Sequence, residues 1–197
     1  MTRKHIPGFL HGTLGPVIKG TVITWTVIAA PLLHGQQSSP TESEVKSAYL
    51  YNFGKFVEWP AKATSAGEFF PICALGDDSF GSTLETIIAG ESINGKKVLV
   101  KRVARPQDAV SCRILFISSS EQNQLKEILA ALDNTSVLTV SDMPQFTRRG
   151  GMIQFVVEAN KVRFEVNLTS AERAGLTLSS QLLKVATNVK RGAQSGD

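Results

Sequence analysis

Histidine is scarce in this sequence, and its scarcity excludes several kinds of chemistry. The chain has 197 residues but only three histidines, all of them within residues 1–35. Without those residues, neither a Ser-His-Asp triad nor a Cys-His pair can form. Zinc and copper sites also lose their commonest ligand, and two cysteines cannot make a four-thiolate site. We therefore expect no enzymatic activity, no metal and no cofactor.

Residues 36–197 also carry no large excess of positive charge. The whole chain has a formal net charge of +4, but residues 1–35 hold three basic residues and no acidic one. Residues 36–197 carry 18 basic and 17 acidic side chains. No Lys/Arg cluster remains there to neutralise a row of phosphates. We expect no nucleic-acid partner.

Long hydrophobic runs are absent as well. The longest apolar block, residues 21–33, is 13 residues long and contains Pro31, whereas a spanning helix needs about 20 apolar residues. A basic start at Arg3 and Lys4 precedes the block, and small Gly35 follows it. This layout is typical of a secretory signal peptide. We expect cleavage near Gly35, export to the periplasm and no stable membrane insertion afterwards; an uncleaved N-terminal anchor is the alternative.

The remaining residues are enough for one domain of ordinary size. We predict a linker over residues 36–43, a compact domain over 44–190 and a flexible tail over 191–197. Predicted strands alternate with predicted helices, which indicates an α/β fold with a mostly parallel sheet flanked by helices. Near the C-terminal end, Ala159-Asn160 separates two strand-like segments and predicts an antiparallel hairpin.

Three further segments predict helices. Capping boxes begin at Thr41 and at Ser118, and the second of these helices should reach about Leu132. Residues 179–189 have the spacing of a last amphipathic helix. The first helix has a largely aromatic face, and we interpret this face as core packing or, in part, as a partner surface. The partner-surface candidates are Tyr49, Phe53, Phe56 and Trp59.

Acidic and hydroxyl side chains follow two of the predicted strands. Asp77 and Asp78 come after the first apolar strand, and Ser141 and Asp142 come after a later one. Ligands of open α/β sheets bind at the carboxyl ends of the strands, so all four are candidates for a ligand rim. The first loop nearly matches a phosphate-binding loop, but Ser82 replaces its lysine and the two aspartates would repel phosphate.

Arg163 and Glu165 alternate with apolar residues in a predicted strand. Alternation turns both charged side chains to the face opposite the apolar ones. They form either a surface pair or part of a ligand groove.

Cys73 and Cys112 are the two cysteines of the chain, and each lies in or beside an apolar strand. An exported protein occupies an oxidising compartment, where a disulfide persists. The alternative is a pair of buried thiols that pack as small hydrophobic groups.

Several motifs together carry a resemblance to a known family. They are Ala48-Tyr-Leu-Tyr-Asn-Phe-Gly-Lys-Phe-Val-Glu-Trp-Pro60, Cys73-Ala-Leu-Gly-Asp-Asp78, Val137-Leu-Thr-Val-Ser-Asp142, Gly151-Met-Ile-Gln-Phe155, Val162-Arg-Phe-Glu-Val-Asn-Leu168 and Ala174-Gly-Leu-Thr-Leu-Ser-Ser-Gln-Leu-Leu183. In this order and spacing they resemble the YfiR family of exported bacterial regulators.

The resemblance implies a function as well as a fold. Such a protein is a compact, periplasmic α/β protein that can form a homodimer. It binds and represses the periplasmic sensor region of an inner-membrane diguanylate cyclase, which lowers cyclic di-GMP signalling and disfavours biofilm formation. Cys73 and Cys112 match one cysteine pair of the family, while a second pair near the Gly-Gly segment is missing. The alternative function is a periplasmic small-ligand sensor in envelope signalling.

Overall fold

The computed structural model describes residues 39–64, 67–77 and 80–192. The predicted signal peptide, residues 36–38 of the predicted linker, the rim candidate Asp78 and residues 193–197 of the predicted tail lie outside these ranges. The described residues form six α-helices, ten short or medium strands and two 3₁₀ turns.

The helices α1 to α6 are, in order, Glu42–Phe56, Ala61–Thr64, Thr83–Ile88, Leu125–Ala131, Leu168–Arg173 and Ser180–Val185. The 3₁₀ turns are Pro106–Ser111 and Ser119–Glu121. The strands β1 to β10 are Val57–Glu58, Phe69–Leu75, Ser92–Ile93, Lys96–Val103, Ile114–Ile117, Leu138–Ser141, Ile153–Glu158, Lys161–Asn167, Thr177–Leu178 and Asn188–Lys190.

Within the described ranges, eight strands form one sheet in the order β10-β8-β7-β6-β5-β2-β4-β3. The five central strands from β4 to β7 pair in parallel, while the β7–β8 and β3–β4 pairs are antiparallel. After β2 the chain passes to β4 on one side and then returns across β2 to β5 on the other. This reversal is the topological switch point of a doubly wound sheet. The predicted fold class is confirmed.

Both faces of the central sheet are covered, and alternate residues of one strand therefore enter two different cores. In β5, Ile114 and Phe116 belong to a core under α1, α3, α5 and α6, which we call the first core. Leu115 and Ile117 belong to a core under α4 and the turn Pro106–Ser111, which we call the second core. Such continuous burial explains why β5 is a run of apolar residues.

The first helix begins where the sequence predicts. The hydroxyl of Thr41 accepts a hydrogen bond from the Glu44 backbone N–H at 3.2 Å, and the Glu44 carboxylate accepts one from the Thr41 N–H at 2.6 Å. The bond from the Thr41 backbone lowers the pKa of Glu44. The capping box is therefore complete and fixes the start of α1.

The predicted hairpin is also present. Ala159 and Asn160 both have positive φ, 48° and 59°, and they join β7 to β8 as a two-residue turn. Two residues of positive φ give a turn whose twist matches that of paired strands.

The helix predicted from Ser118 begins later than expected. The Ser118 hydroxyl accepts from the N–H of Ser120 at 3.3 Å instead of that of Glu121. The segment closes as a 3₁₀ turn, and α4 begins only at Leu125.

The predicted C-terminal helix over residues 179–189 is too long. Helix α6 ends at Val185 because Ala186 is extended, with ψ 140°. The N–H of Thr187 then donates to the carbonyl of Phe164 at 2.9 Å, and the next residues join the sheet as β10 beside β8. The pairing of β10 with β8, which lies earlier in the sequence, therefore determines the structure of residues 186–190.

Candidate functional site

The aromatic face of α1 is mainly a packing surface. The ring of Phe53 lies 5.1 Å from that of Phe164 and 5.9 Å from that of Phe155, centroid to centroid. Phe53 is 1% exposed, and Trp59 is 9% exposed against Phe70. Burial this deep favours core packing for Phe53 and Trp59, the other interpretation that the sequence left open.

The other two partner-surface candidates lie at the edge of an apolar groove. Tyr49 and Phe56 of α1 are half-buried, and they line a groove of about 280 Å³ together with Gln181 and Val185 of α6. Val185 is 61% exposed, because α6 ends there and presents its last apolar side chain to solvent. We call these residues, with Asn52, the α1–α6 groove. No pattern in the sequence points to Val185 as an exposed residue, since the predicted helix continues past it.

The loops at the carboxyl ends of β2 and β5, where a ligand cleft was predicted, contact each other directly. The N–H of Asp77 donates to the Ser120 hydroxyl at 3.0 Å. A Cβ built on Gly76 would lie 2.6 Å from the same hydroxyl oxygen, so the two loops touch at a residue with φ 90°. Asp77 is exposed beside this contact.

The rim candidates Ser141 and Asp142, which lie at the carboxyl end of β6, have other contacts. Ser141 is fully buried, and its hydroxyl accepts from the N–H of Met143 at 3.0 Å. Asp142 pairs with Lys46 of α1, whose ammonium lies 2.7 Å from Asp142 Oδ2 and 2.6 Å from Glu42 Oε1. Asp142 therefore serves first as an ion-pair partner between the sheet and α1.

Lys46 is the buried centre of this ion cluster. Its side chain is 8% exposed, and its ammonium lies 6.0 Å above the ring of Phe155. Burial acts to lower the pKa of Lys46, but hydrogen bonds to Asp142 and Glu42 outweigh it, so the pKa is raised. The Glu42–Lys46 spacing of four residues on one helix was the signal in the sequence that could have pointed to Lys46.

A cavity of about 430 Å³ adjoins the ion cluster. Asp142, Ser119 and Gln154 line it together with Lys46. Among the described residues, Asp142 Oδ1 is a buried oxygen without a hydrogen-bond partner. Asp142 is thus the rim candidate that combines a cavity with an unused acceptor.

Arg163 and Glu165 lie on one face of β8, opposite the buried Phe164 and Val166. Arg163 is exposed and lines a shallow cavity beside the N-terminal end of α1. The Glu165 carboxylate instead lies 3.5 Å from the Thr147 hydroxyl. The two candidates share a face but have different neighbours.

Cys73 and Cys112 form a disulfide, which decides between the two alternatives left by the sequence. Both side chains are buried in the second core. The bond joins the central strand β2 to the residue that ends the turn Pro106–Ser111.

The described ranges contain neither a metal-binding cluster nor a membrane-spanning helix. No group of three or more His, Cys, Asp or Glu side chains there is placed to hold a metal ion. None of the helices in the same ranges is long and apolar enough to cross a membrane.

The described residues thus combine a doubly wound α/β domain with an apolar groove and a buried ion cluster. The chain belongs to the YfiR/HmsC-like family, whose model matches residues 43–187. The resemblance inferred from the motifs is confirmed. Members of this family are regulatory proteins.

One solved structure shows the same kind of fold. A conserved domain protein from Vibrio cholerae O1 biovar El Tor strain N16961 matches with a TM-score of 0.56 and 12% identity, over 78% of this chain and 62% of that one. At this identity the likeness concerns the fold alone. An ABC domain from Streptococcus pneumoniae, solved with L-Trp, has 14% identity and a TM-score of 0.45, over 61% of this chain and 55% of that one. The chain thus spans under two thirds of both.

Proposed function

We propose that this chain binds the periplasmic sensor region of an inner-membrane diguanylate cyclase and represses the cyclase, which lowers cyclic di-GMP. We further propose that residues 1–35 are removed during export. Family membership supports the signalling context, and the α1–α6 groove is the observation that supports binding. The protein then acts by binding to the sensor region and catalyses no reaction itself.

The groove has the composition of a protein-binding surface. Tyr49 and Phe56 offer half-buried aromatic rings, and Val185 adds an exposed aliphatic side chain beside them. Aromatic anchors at the centre of an interface commonly carry most of the binding free energy. The Tyr49 ring is also stacked on the ring of Phe53, so that little of its side-chain entropy is lost on binding.

Repression follows from preferential binding. A sensor region with active and inactive states shifts towards the state that its partner binds more tightly. Binding of this chain to the inactive state therefore lowers cyclase activity, and its release restores it.

A charge placed in the groove tests the proposal. We expect Val185→Glu to weaken binding to the sensor region at least about tenfold, since a buried unpaired carboxylate opposes association. Cellular cyclic di-GMP should rise accordingly. The matched control is Val110→Glu, which places the same charge at an exposed valine outside the groove.

Titration of the exported full-length gene product with the sensor region of a cyclase encoded beside it gives the affinities. Equal affinity of Val185→Glu and the unaltered chain would place the interface elsewhere. Absence of binding at tens of micromolar would reject the proposed partner. Light scattering at the same concentrations measures any homodimer separately.

A further inference from the structure

Another concave site lies at the amino ends of β5 and β6. It is at the edge of the sheet opposite the cleft predicted from the sequence. Its volume is about 640 Å³, within the range of roughly 300–1,000 Å³ usual for small-molecule sites. Residues that line it include Lys62, Val110, Arg113, Asn134 and Ser136. We call it the Arg113 cavity. Among the described residues, its lining contains two cationic side chains and no acidic one.

The backbone of Arg113 is held on both sides. Its N–H donates to the carbonyl of Pro71 at 2.8 Å, and its carbonyl accepts from the N–H of Leu138 at 2.9 Å. The preceding residue, Cys112, is anchored by the disulfide. The base of the side chain therefore has a fixed position at the cavity wall.

The guanidinium of Arg113 has no ionic partner in the described part of the chain. One Nη2 N–H donates to the Ala63 carbonyl, and a guanidinium has five donors in all. Arg102 and Arg105 each have a carboxylate at 2.9 Å, on Glu85 and Asp108. Burial lowers the pKa of Arg113, whereas the Asp108 carboxylate raises that of Arg105.

We propose that the Arg113 cavity binds a small ligand that carries a carboxylate or phosphate group, with Arg113 as its charged anchor. Both groups match the planar fork of a guanidinium and form charge-assisted hydrogen bonds with it. Lys62 adds positive charge at the same wall. The side chains of Asn134 and Ser136 supply further hydrogen-bonding groups.

The remaining lining suggests what else the ligand carries. Pro60, Val110 and Val137 are apolar, and Val110 is 52% exposed at the cavity rim. An apolar or aromatic portion beside the anionic group would cover this surface. The proposal adds a ligand to the protein and does not depend on the cyclase partner.

Arg113 could instead serve only to hold the end of α2 through Ala63. The test therefore uses Arg113→Gln, because a glutamine amide can still donate to that carbonyl. The matched control is Arg102→Gln, since Arg102 likewise donates to a backbone carbonyl, that of Gly81, at 2.8 Å, and lies outside the cavity.

The probes are inorganic phosphate and benzoate, titrated against the exported full-length gene product by calorimetry and thermal shift. We expect saturable binding of at least one probe, and a loss of about tenfold or more in affinity in Arg113→Gln but not in Arg102→Gln. Preference for benzoate or phosphate distinguishes a carboxylate ligand from a phosphate ligand.

A second variant tests the proposal independently, in case Arg113→Gln does not fold. Val110→Glu alters an exposed side chain and should weaken anion binding by repulsion, while Val185→Glu in the α1–α6 groove should leave it unchanged. Equal binding by Arg113→Gln and the unaltered chain would overturn the proposal, as would no binding of either probe up to about 10 mM. Partner binding is measured separately, so either proposal can fail alone.

Discussion

Lys46 shows how one buried charge connects two elements. It lies on α1, and its partner Asp142 follows β6, so their 2.7 Å contact joins the first helix to the sheet. A buried ammonium is tolerated only when carboxylates offset its lost hydration. Removing Asp142 leaves Lys46 with one partner, Glu42, whose side chain is 55% exposed.

We predict that Asp142→Ala lowers the free energy of unfolding by about 2 kcal/mol, less than for a fully buried pair because Glu42 remains. Asp108→Ala is the control and should lower the free energy of unfolding much less, because its pair with Arg105 is exposed. Urea unfolding at neutral pH measures both, and equal losses would contradict the prediction.

The contribution of the Lys46–Asp142 pair to stability should decrease at high pH. The pKa of Lys46 is raised in the folded state above its unfolded value of about 10.4, so its contribution is fully present below about pH 10. The contribution is lost as the pH rises through the folded pKa. The difference between Asp142→Ala and the unaltered chain should therefore shrink in alkaline solution.

The candidate residues were predictable by type but less so by role. The acidic residue after β6 was recognised as important, but its partner lies 96 residues earlier in the chain. Sequence spacing also could not show that Phe53 faces the core while Tyr49 and Phe56 reach the groove. Those orientations depend on where α6 packs.

At the scale of elements, the disulfide between Cys73 and Cys112 is the main covalent constraint on the fold. It joins residues separated by 39 positions and encloses β3, β4 and α3. Closing such a loop reduces the entropy of the unfolded chain.

We predict that Cys73→Ala/Cys112→Ala lowers the free energy of unfolding by about 4 kcal/mol in the chain-entropy model. Denaturant unfolding of the double variant and the unaltered chain, both without reductant, measures the difference. Reduction of the unaltered chain should give a similar loss, whereas reductant should not affect the variant. A loss below about 1 kcal/mol would mean that the bond constrains little.

Elements defined by local signals were predicted well. The capping box at Thr41 and the Ala159-Asn160 turn each depend on residues within a few positions of one another. Helix α6 and β10 were merged into one helix because their apolar spacing suits a helix. The pairing of β10 with β8 overrides that spacing.

At the scale of the whole molecule, the central strands link the two cores. Ile72 of β2 enters the first core and Cys73 enters the second, and β5 alternates in the same way. Neither core can separate without disrupting strands that belong to both.

We therefore predict one cooperative unfolding transition for the processed chain, residues 36–197. Trp59 is its single tryptophan and reports on the first core, while far-UV circular dichroism reports on all elements. The two urea midpoints should coincide. Separate midpoints would show that the two cores unfold independently.

The sequence by itself determined the fold class, the first helix, the hairpin and the family, because these depend on periodicity, turn residues and motif order. It also determined the near-neutral charge of residues 36–197. Tertiary structure decided which candidates are accessible and which are paired. Contacts between distant segments joined the loops after β2 and β5 at Gly76, buried Lys46 beside Asp142 and placed Arg113 at a cavity. No local pattern specifies how strands and helices from separate parts of the chain meet.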